Sequence, residues 1–160
     1  LFPNGAGLCT TQGGSRFFVS FMGYAGAIIW GTVLYLLADW HQKVAKLSSG
    51  ILVLLLALSI IFLVRDLLTL VLVSVLLMLA IVQVKFVANH IRQITLKLLG
   101  LVVLLNALFS PLYLLDGRSI GDGASLAKIS YVPEIIWVIL WSALAVLSLF
   151  FLAKKTKRTV

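Results

Sequence analysis

The sequence predicts an all-α, polytopic integral membrane protein with about five transmembrane helices. Of its 160 residues, 62% are hydrophobic and 11% are charged, and the mean hydropathy is +1.15. A soluble domain has roughly 45–50% apolar and about 25% charged residues, and a globule of this size exposes too much surface to bury the excess. The composition therefore excludes a soluble enzyme and a disordered tail. The single cysteine, Cys9, excludes a disulfide scaffold.

Transmembrane helices need about 20 mostly apolar residues each. Five stretches meet this requirement: residues 17–37, 48–64, 67–84, 96–115 and 133–152. Only Arg65 and Asp66 separate the second stretch from the third, so we expect a tight helical hairpin there. The alternative is an Arg–Asp pair buried in the bilayer, which is costly. The predicted organisation is an outer segment over 1–16, one membrane domain over 17–153 and a basic tail over 154–160.

The basic residues predict the orientation. With a cytoplasmic C-terminus, nine of them fall on the inner side: Lys43, Lys46, Lys85, Arg92, Lys97, Lys154, Lys155, Lys157 and Arg158. The other four, Arg16, Arg65, Arg118 and Lys128, fall on the outer side. This asymmetry follows the positive-inside rule and places the Leu1 end outside. The net charge of +8 thus indicates topology and a lipid bilayer as partner, with no nucleic acid. The tail is typical of a stop-transfer anchor, with binding of anionic lipid or of a partner as the alternative.

Glycines mark one face of the first span. Gly23 and Gly26 share this face, and Gly31 follows within the same stretch. Small residues at such spacing let another helix approach closely. We expect helix packing here, and a contact with other membrane subunits through this span.

The fourth span contains polar and helix-breaking residues. Asn106 places an amide at membrane depth, Pro111 predicts a kink because it removes a backbone donor, and Asp116 follows near the outer end. Such a helix suggests a substrate or functional site, with an ordinary proline-kinked helix as the alternative. We expect the following residues, 118–131, to form a loop that contains a second carboxylate, Asp122.

Zinc sites usually need nitrogen or sulfur ligands beside a carboxylate. The histidines, His41 and His90, lie in loops on the side of the membrane opposite Asp116 and Asp122 in this topology. They are expected to be solvated interfacial residues. The sequence also contains no nucleotide-binding loop and no nucleophile elbow. It gives little support to a transporter, because it has no obvious internal repeat.

Several segments together resemble site-2-protease-like membrane proteins, and more specifically the short B-type branch of that metallopeptidase family. They are Pro-Asn-Gly-Ala-Gly at 3–7, Gly-Gly-Ser-Arg at 13–16, Gly-Tyr-Ala-Gly-Ala at 23–27, Asn106 with Pro111 and Asp116-Gly117, the stretch 121–127, Val132-Pro133, and Trp137 with Trp141. The resemblance covers most of the chain. It implies a zinc-dependent intramembrane protease in a bacterial plasma membrane or a thylakoid.

The family's zinc is bound by two histidines of an HExxH helix and by an aspartate from a later span, with the HExxH glutamate as general base. Asp122 matches the branch's C-terminal aspartate, whereas Asp116 matches the wider family's Asp-Gly, and both remain candidates. No HExxH occurs in the 160 residues, and Glu134, the single glutamate, is expected to stabilise a helix N-terminus.

The chain also begins at Leu1 without Met. The resemblance therefore leaves two hypotheses. Either an upstream sixth helix is missing here and zinc binds only with it, so that no complete catalytic set is present, or the protein is a noncatalytic structural or assembly subunit of a larger membrane complex.

Overall fold

The protein is a helical membrane protein. A computed structural model describes residues 14–115 and 121–157, and within these ranges the regular elements are helices, with no strand. The α-helices are α1 (Arg16–Trp40), α2 (Gln42–Phe62), α3 (Leu67–Phe86), α4 (Asn89–Phe109), α5 (Asp122–Ser130) and α6 (Glu134–Lys157). A 3-10 helix, Ser110–Leu115, continues α4. Five of these segments are long and apolar enough to cross a bilayer, as predicted.

Two of the observed helices begin well before the corresponding apolar stretches. α2 starts at Gln42, where the predicted span starts at 48, and α4 starts at Asn89, where it starts at 96. His41 is the N-cap of α2, and its Nδ1 accepts a hydrogen bond from the Lys43 backbone N–H at 3.1 Å. Polar residues therefore continue each helix out of its apolar stretch.

The predicted hairpin between α2 and α3 is confirmed. α2 ends at Phe62, and Asp66 is the N-cap of α3, where its Oδ1 accepts a hydrogen bond from the Thr69 N–H at 3.0 Å. The two helices pack against each other. Asp66 thus starts a new helix and does not form a buried pair within one long helix.

The prediction of a loop over 118–131 is wrong for its second half. Asp122–Ser130 forms α5, which ends at Tyr131 in the left-handed conformation, with φ 59°. The Tyr131 N–H donates to the Ala127 carbonyl at 3.0 Å and closes the last turn. Glycine and serine in this segment obscured a helix of nine residues.

The described residues form two compact units, residues 37–96 and residues 14–36 with 97–115 and 121–157. In the first unit, Arg92 is 4% exposed and holds the end of α3. Its guanidinium donates to the Gln83, Val84 and Val87 carbonyls at 3.3, 2.9 and 2.9 Å, and to Asn89 Oδ1 at 2.7 Å. Carbonyls at a helix end have no intrahelical donor. Arg92 supplies hydrogen bonds to them and thereby holds the turn between α3 and α4.

The second unit is held by a close crossing of α1 and α4. A Cβ added at Gly100 would lie 2.7 Å from the Gly31 carbonyl oxygen and 3.0 Å from the Tyr35 nitrogen. Beyond the crossing, the Tyr35 hydroxyl and the Thr156 hydroxyl are 2.9 Å apart in a hydrogen bond, and Lys97 Nζ lies 5.8 Å from the centre of the Tyr35 ring. Leu104 is completely buried in the same core. These contacts hold α1, α4 and α6 together.

Candidate functional site

The short helix α5 positions the one predicted site carboxylate that the structure describes. Asp122 is its first residue, and Gly121 before it has φ 131°, which favours glycine. The Gly121 carbonyl accepts hydrogen bonds from the Ser125 N–H at 3.0 Å and the Ser125 hydroxyl at 2.9 Å. This turn fixes the position of Asp122 at the start of α5. The positive end of the α5 dipole favours the negative charge of the Asp122 carboxylate.

Asp122 lies against α1. The Ser20 hydroxyl donates a hydrogen bond to the Asp122 carboxylate. A Cβ added at Gly23, one turn further along α1, would lie 2.7 Å from Asp122 Oδ2. That distance is too short for a real contact, so glycine at position 23 is what lets the carboxylate reach this place. Ser20 and Gly23 are three residues apart and therefore face the same way on the helix.

The environment of Asp122 changes the acidity of its carboxyl. Asp122 is half-buried, and burial raises the pKa of its carboxyl above the ordinary value, while the hydrogen bond from Ser20 partly opposes this increase. A carboxyl group of this kind can accept hydrogen bonds, hold a proton or offer one oxygen to a cation.

A second carboxylate lies beside the first turn of α5. Glu134 is the first residue of α6, and a Cβ added at the buried Gly123 would lie 2.6 Å from its Oε1. This oxygen is buried and has no hydrogen-bond partner among the residues that the structure describes. The expected role of Glu134 at a helix N-terminus fits its position, but the unpaired oxygen marks it as a second polar group beside α5.

Two indole nitrogens near these carboxylates also lack partners. Trp137 Nε1 and Trp141 Nε1 are buried without a hydrogen-bond acceptor within the described ranges. Trp141 is 0% exposed, and its ring lies 4.7 Å from the Tyr24 ring, centre to centre. Trp137 lies 6.1 Å from Phe21 in an edge-to-face contact. These aromatic contacts, with the buried Leu126 of α5, connect α1, α5 and α6 behind the carboxylates.

Of the predicted residues of the fourth span, Asn106 lies in α4, and Pro111 lies in the 3-10 helix, which packs against α5 and α6. Asn106 is exposed, and its Oδ1 accepts a hydrogen bond from the Ser110 hydroxyl at 3.1 Å. Pro111 is fully buried, and the α-helix gives way to the 3-10 helix at Ser110, just before it. Asp116 lies outside the described residues, so its role as a candidate ligand stays a prediction.

The three predicted packing glycines have different surroundings. Gly23 contacts Asp122, as described above. A Cβ added at Gly31 would lie 3.0 Å from the Gly100 carbonyl oxygen, whereas a Cβ added at Gly26 would meet no atom within 4 Å. The helix-packing role of Gly26 therefore stays a prediction.

Zinc does not fit the described residues by themselves. Within 14–115 and 121–157, no group of three or more His, Cys, Asp or Glu side chains lies close enough together to hold a metal ion. His41 caps α2, and His90 is an exposed residue in the first turn of α4. Both belong to the unit 37–96, and Asp122 belongs to the other. Asp122 could supply one ligand, and a zinc site needs at least two more from elsewhere.

Three residues were not predicted as site or packing residues: Ser20 beside Asp122, Gly123 beside Glu134, and Gly100 at the crossing of α1 and α4. Ser20 could have been found, because it lies three residues before Gly23 on the helix face already identified. Gly123 and Gly100 became informative only through the helices that pack against them.

Comparison with known proteins identifies a family for the chain. A family model described as Peptidase M50B-like matches residues 1–152. No curated protein matches, and no solved structure matches.

Proposed function

From the fact that this chain belongs to the Peptidase M50B-like family, we infer that it contributes helices to a site-2-protease-like zinc metalloprotease that cleaves within membranes. The observation that carries this proposal is Asp122, a half-buried carboxyl that Ser20 and Gly23 hold against α1. In the proposal Asp122 is one zinc ligand, and the HExxH histidines come from a helix outside these 160 residues. The 160 residues are not catalytic by themselves, because they contain no HExxH.

Zinc, when bound, would polarise the peptide carbonyl and activate water. The role of this chain in the proposal is to hold Asp122 in position. Gly23 leaves space for the carboxylate, Ser20 orients one of its oxygens, and the rigid aromatic contacts of Trp141 support α5 from behind. Removal of such supporting partners commonly lowers metal affinity by about 10–100-fold.

The test begins with the coding sequence upstream of Leu1. An HExxH helix in the same reading frame supports the proposal, and an initiator Met directly before Leu1 contradicts it. The longer protein, purified without added metal, should contain about one zinc per chain. Asp122→Asn should lose zinc, whereas Asp66→Asn, which removes the same charge from the α2–α3 turn, should keep it. Equal zinc contents in the two variants would remove Asp122 from the site.

A second candidate function is a noncatalytic subunit of a larger membrane complex. The exposed amide of Asn106, within a membrane-spanning helix, favours it. Polar groups at membrane depth are stabilised by protein or water around them. Isolation in mild detergent should then give a stoichiometric partner, and Asn106→Leu should weaken its retention. A monodisperse, solitary chain would contradict this candidate.

The proposed location is a bacterial plasma membrane or a thylakoid, with the C-terminus on the cytoplasmic side. The support is the distribution of basic residues in the sequence. A membrane-impermeant thiol reagent should label Cys9 from outside intact cells. In a Cys9→Ser background, Lys154→Cys should react only after the membrane is opened. The reverse pattern would invert the topology.

A further inference from the structure

The unit 37–96 contains a groove with lysines at one end and an apolar wall along its length. Its volume is about 500 Å³. We call it the lysine groove, and it is lined by Lys43, Lys46, Leu47, Gly50, Ile51 and Leu54 of α2 and by Val84 of α3.

The α2 residues of the lysine groove form one continuous stripe. From Lys43 to Leu54 they follow the 3- and 4-residue spacing that places side chains on one helix face. Both lysines are exposed in the first turns, and the apolar residues follow. Gly50, in the middle, has no atom within 4 Å of where its Cβ would be, so the stripe is open there. The stripe therefore has a cationic end, and an open apolar channel follows it along α2.

The same end of the hairpin carries further positive charge. A smaller groove of about 150 Å³ shares Gly50 and Val84 with the lysine groove and is lined by Lys85 as well. The carboxylates of this unit are Asp39 and Asp66. Asp66 lies at the opposite end of the hairpin, as the N-cap of α3, whereas Asp39, in the last turn of α1, lies at the lysine end, where Lys43, Lys46 and Lys85 outnumber it. The positive end of the α2 dipole adds to the lysine charges. A ligand head at this end should therefore be an anion.

The length of the stripe matches one membrane leaflet. At 1.5 Å per residue, α2 rises about 16 Å from Lys43 to Leu54, close to half of the ~30 Å hydrocarbon core. We propose that the lysine groove binds one anionic phospholipid, with its phosphate at Lys43 and Lys46 and an acyl chain along Leu47, Ile51 and Leu54. Basic sites between membrane helices bind such head groups. A zwitterionic lipid would bring a cation toward the lysines, and a second copy would bring two more lysines.

The experiment uses the full chain in vesicles with equimolar phosphatidylglycerol and phosphatidylcholine. The protein is extracted with little detergent, and native mass spectrometry gives the ratio of chains that retain each lipid. We expect phosphatidylglycerol to be retained in preference to phosphatidylcholine, with one molecule per chain. Equal retention of the two lipids would overturn the proposal.

Matched variants separate the groove from general surface charge. Lys43→Gln with Lys46→Gln should lower the preference for phosphatidylglycerol about twenty- to thirtyfold. Lys154→Gln with Lys155→Gln removes the same charge from the last turns of α6 and should change it less than threefold. An equal loss in the two double variants would contradict a site in the groove.

A third variant tests the apolar part. Gly50→Leu fills the channel without removing charge, and it replaces a helix-interior glycine in open space, so folding is retained. It should lower retention of phosphatidylglycerol severalfold, while Gly26→Leu, also in open space, should not. If Gly50→Leu retained the lipid as the unchanged chain does, a bound acyl chain in the groove would be excluded.

Discussion

Replacing Gly100 by alanine tests the close crossing of α1 and α4. The new methyl group would lie 2.7 Å from the Gly31 carbonyl oxygen and 3.0 Å from the Tyr35 nitrogen. Both atoms belong to the backbone of α1 and cannot turn away as a side chain would. The helices must therefore move apart, and a shift of α1 would also disturb the hydrogen bond between the Tyr35 hydroxyl and the Thr156 hydroxyl of α6.

The magnitude follows from two opposing contributions. Overpacking a close contact costs about 1–3 kcal/mol, and a backbone clash belongs in the upper part of that range. Alanine in place of glycine inside a helix stabilises by up to about 1 kcal/mol. The net expectation for Gly100→Ala is a loss of about 1–2 kcal/mol in the free energy of unfolding. Gly31→Ala should lose less, because two of its three nearest atoms belong to the side chains of Leu104 and Val103.

The assay is unfolding of the full chain in mild detergent by added SDS, followed by circular dichroism. Gly26→Ala and Gly50→Ala are the matched controls, since a Cβ at either position meets no atom within 4 Å. Each control should be as stable as the unchanged chain or gain up to about 1 kcal/mol. If Gly100→Ala unfolded at the same SDS concentration as the two controls, the crossing inferred from the structure would be refuted.

Three further predictions concern stability and use the same unfolding assay. Trp141→Ala should lose about 3–5 kcal/mol because the ring is completely buried, whereas Trp30→Ala, at 66% exposure, should stay within about 0.5 kcal/mol; equal losses would contradict the described core. Arg92→Met should lose at least about 2 kcal/mol because the carbonyls at the end of α3 lose a charged donor, and Lys85→Met, an exposed cation of the same region, should have little effect. The hydroxyl of Thr69, followed by backbone N–H groups of the first turn of α3, donates hydrogen bonds to Asp66 and holds the pKa of its carboxyl below the ordinary range. Its contribution to stability is therefore present above the ordinary pKa and is lost as the pH falls through the lowered one, and Asp66→Asn, which keeps an N-cap acceptor, should remove this loss between neutral and acidic pH.

The helices that cross the membrane could be predicted because apolar stretches of sufficient length have few alternatives in a bilayer. Their ends could not, since hydropathy does not register a cap such as His41 or the polar first turns of α2 and α4. α5 escaped prediction for a related reason. A helix of nine residues with Gly123 near its start has weak local propensity and depends on its contacts with α1 and α6.

The candidate site could be predicted in part. Asp122 was identified by resemblance to a family, and the residues alone gave only an acid in a glycine-rich segment. Its partner Ser20 is more than a hundred positions away in the sequence, and no local pattern indicates which serine will reach it. The unpaired Oε1 of Glu134 is likewise a result of packing against Gly123.

The environment of Arg92 has a consequence for ionic strength. Its partners are neutral oxygens, from three carbonyls and the Asn89 amide, and the guanidinium is 4% exposed. Dissolved ions screen exposed charges far more than buried ones. The turn between α3 and α4 should therefore keep its geometry from dilute buffer to molar salt, while attraction of phosphate to Lys43 and Lys46 weakens. The end of the α2–α3 hairpin that carries Lys43 and Lys46 is thus held by Arg92 of α4, whose interactions resist salt, whereas the interactions of the two lysines do not.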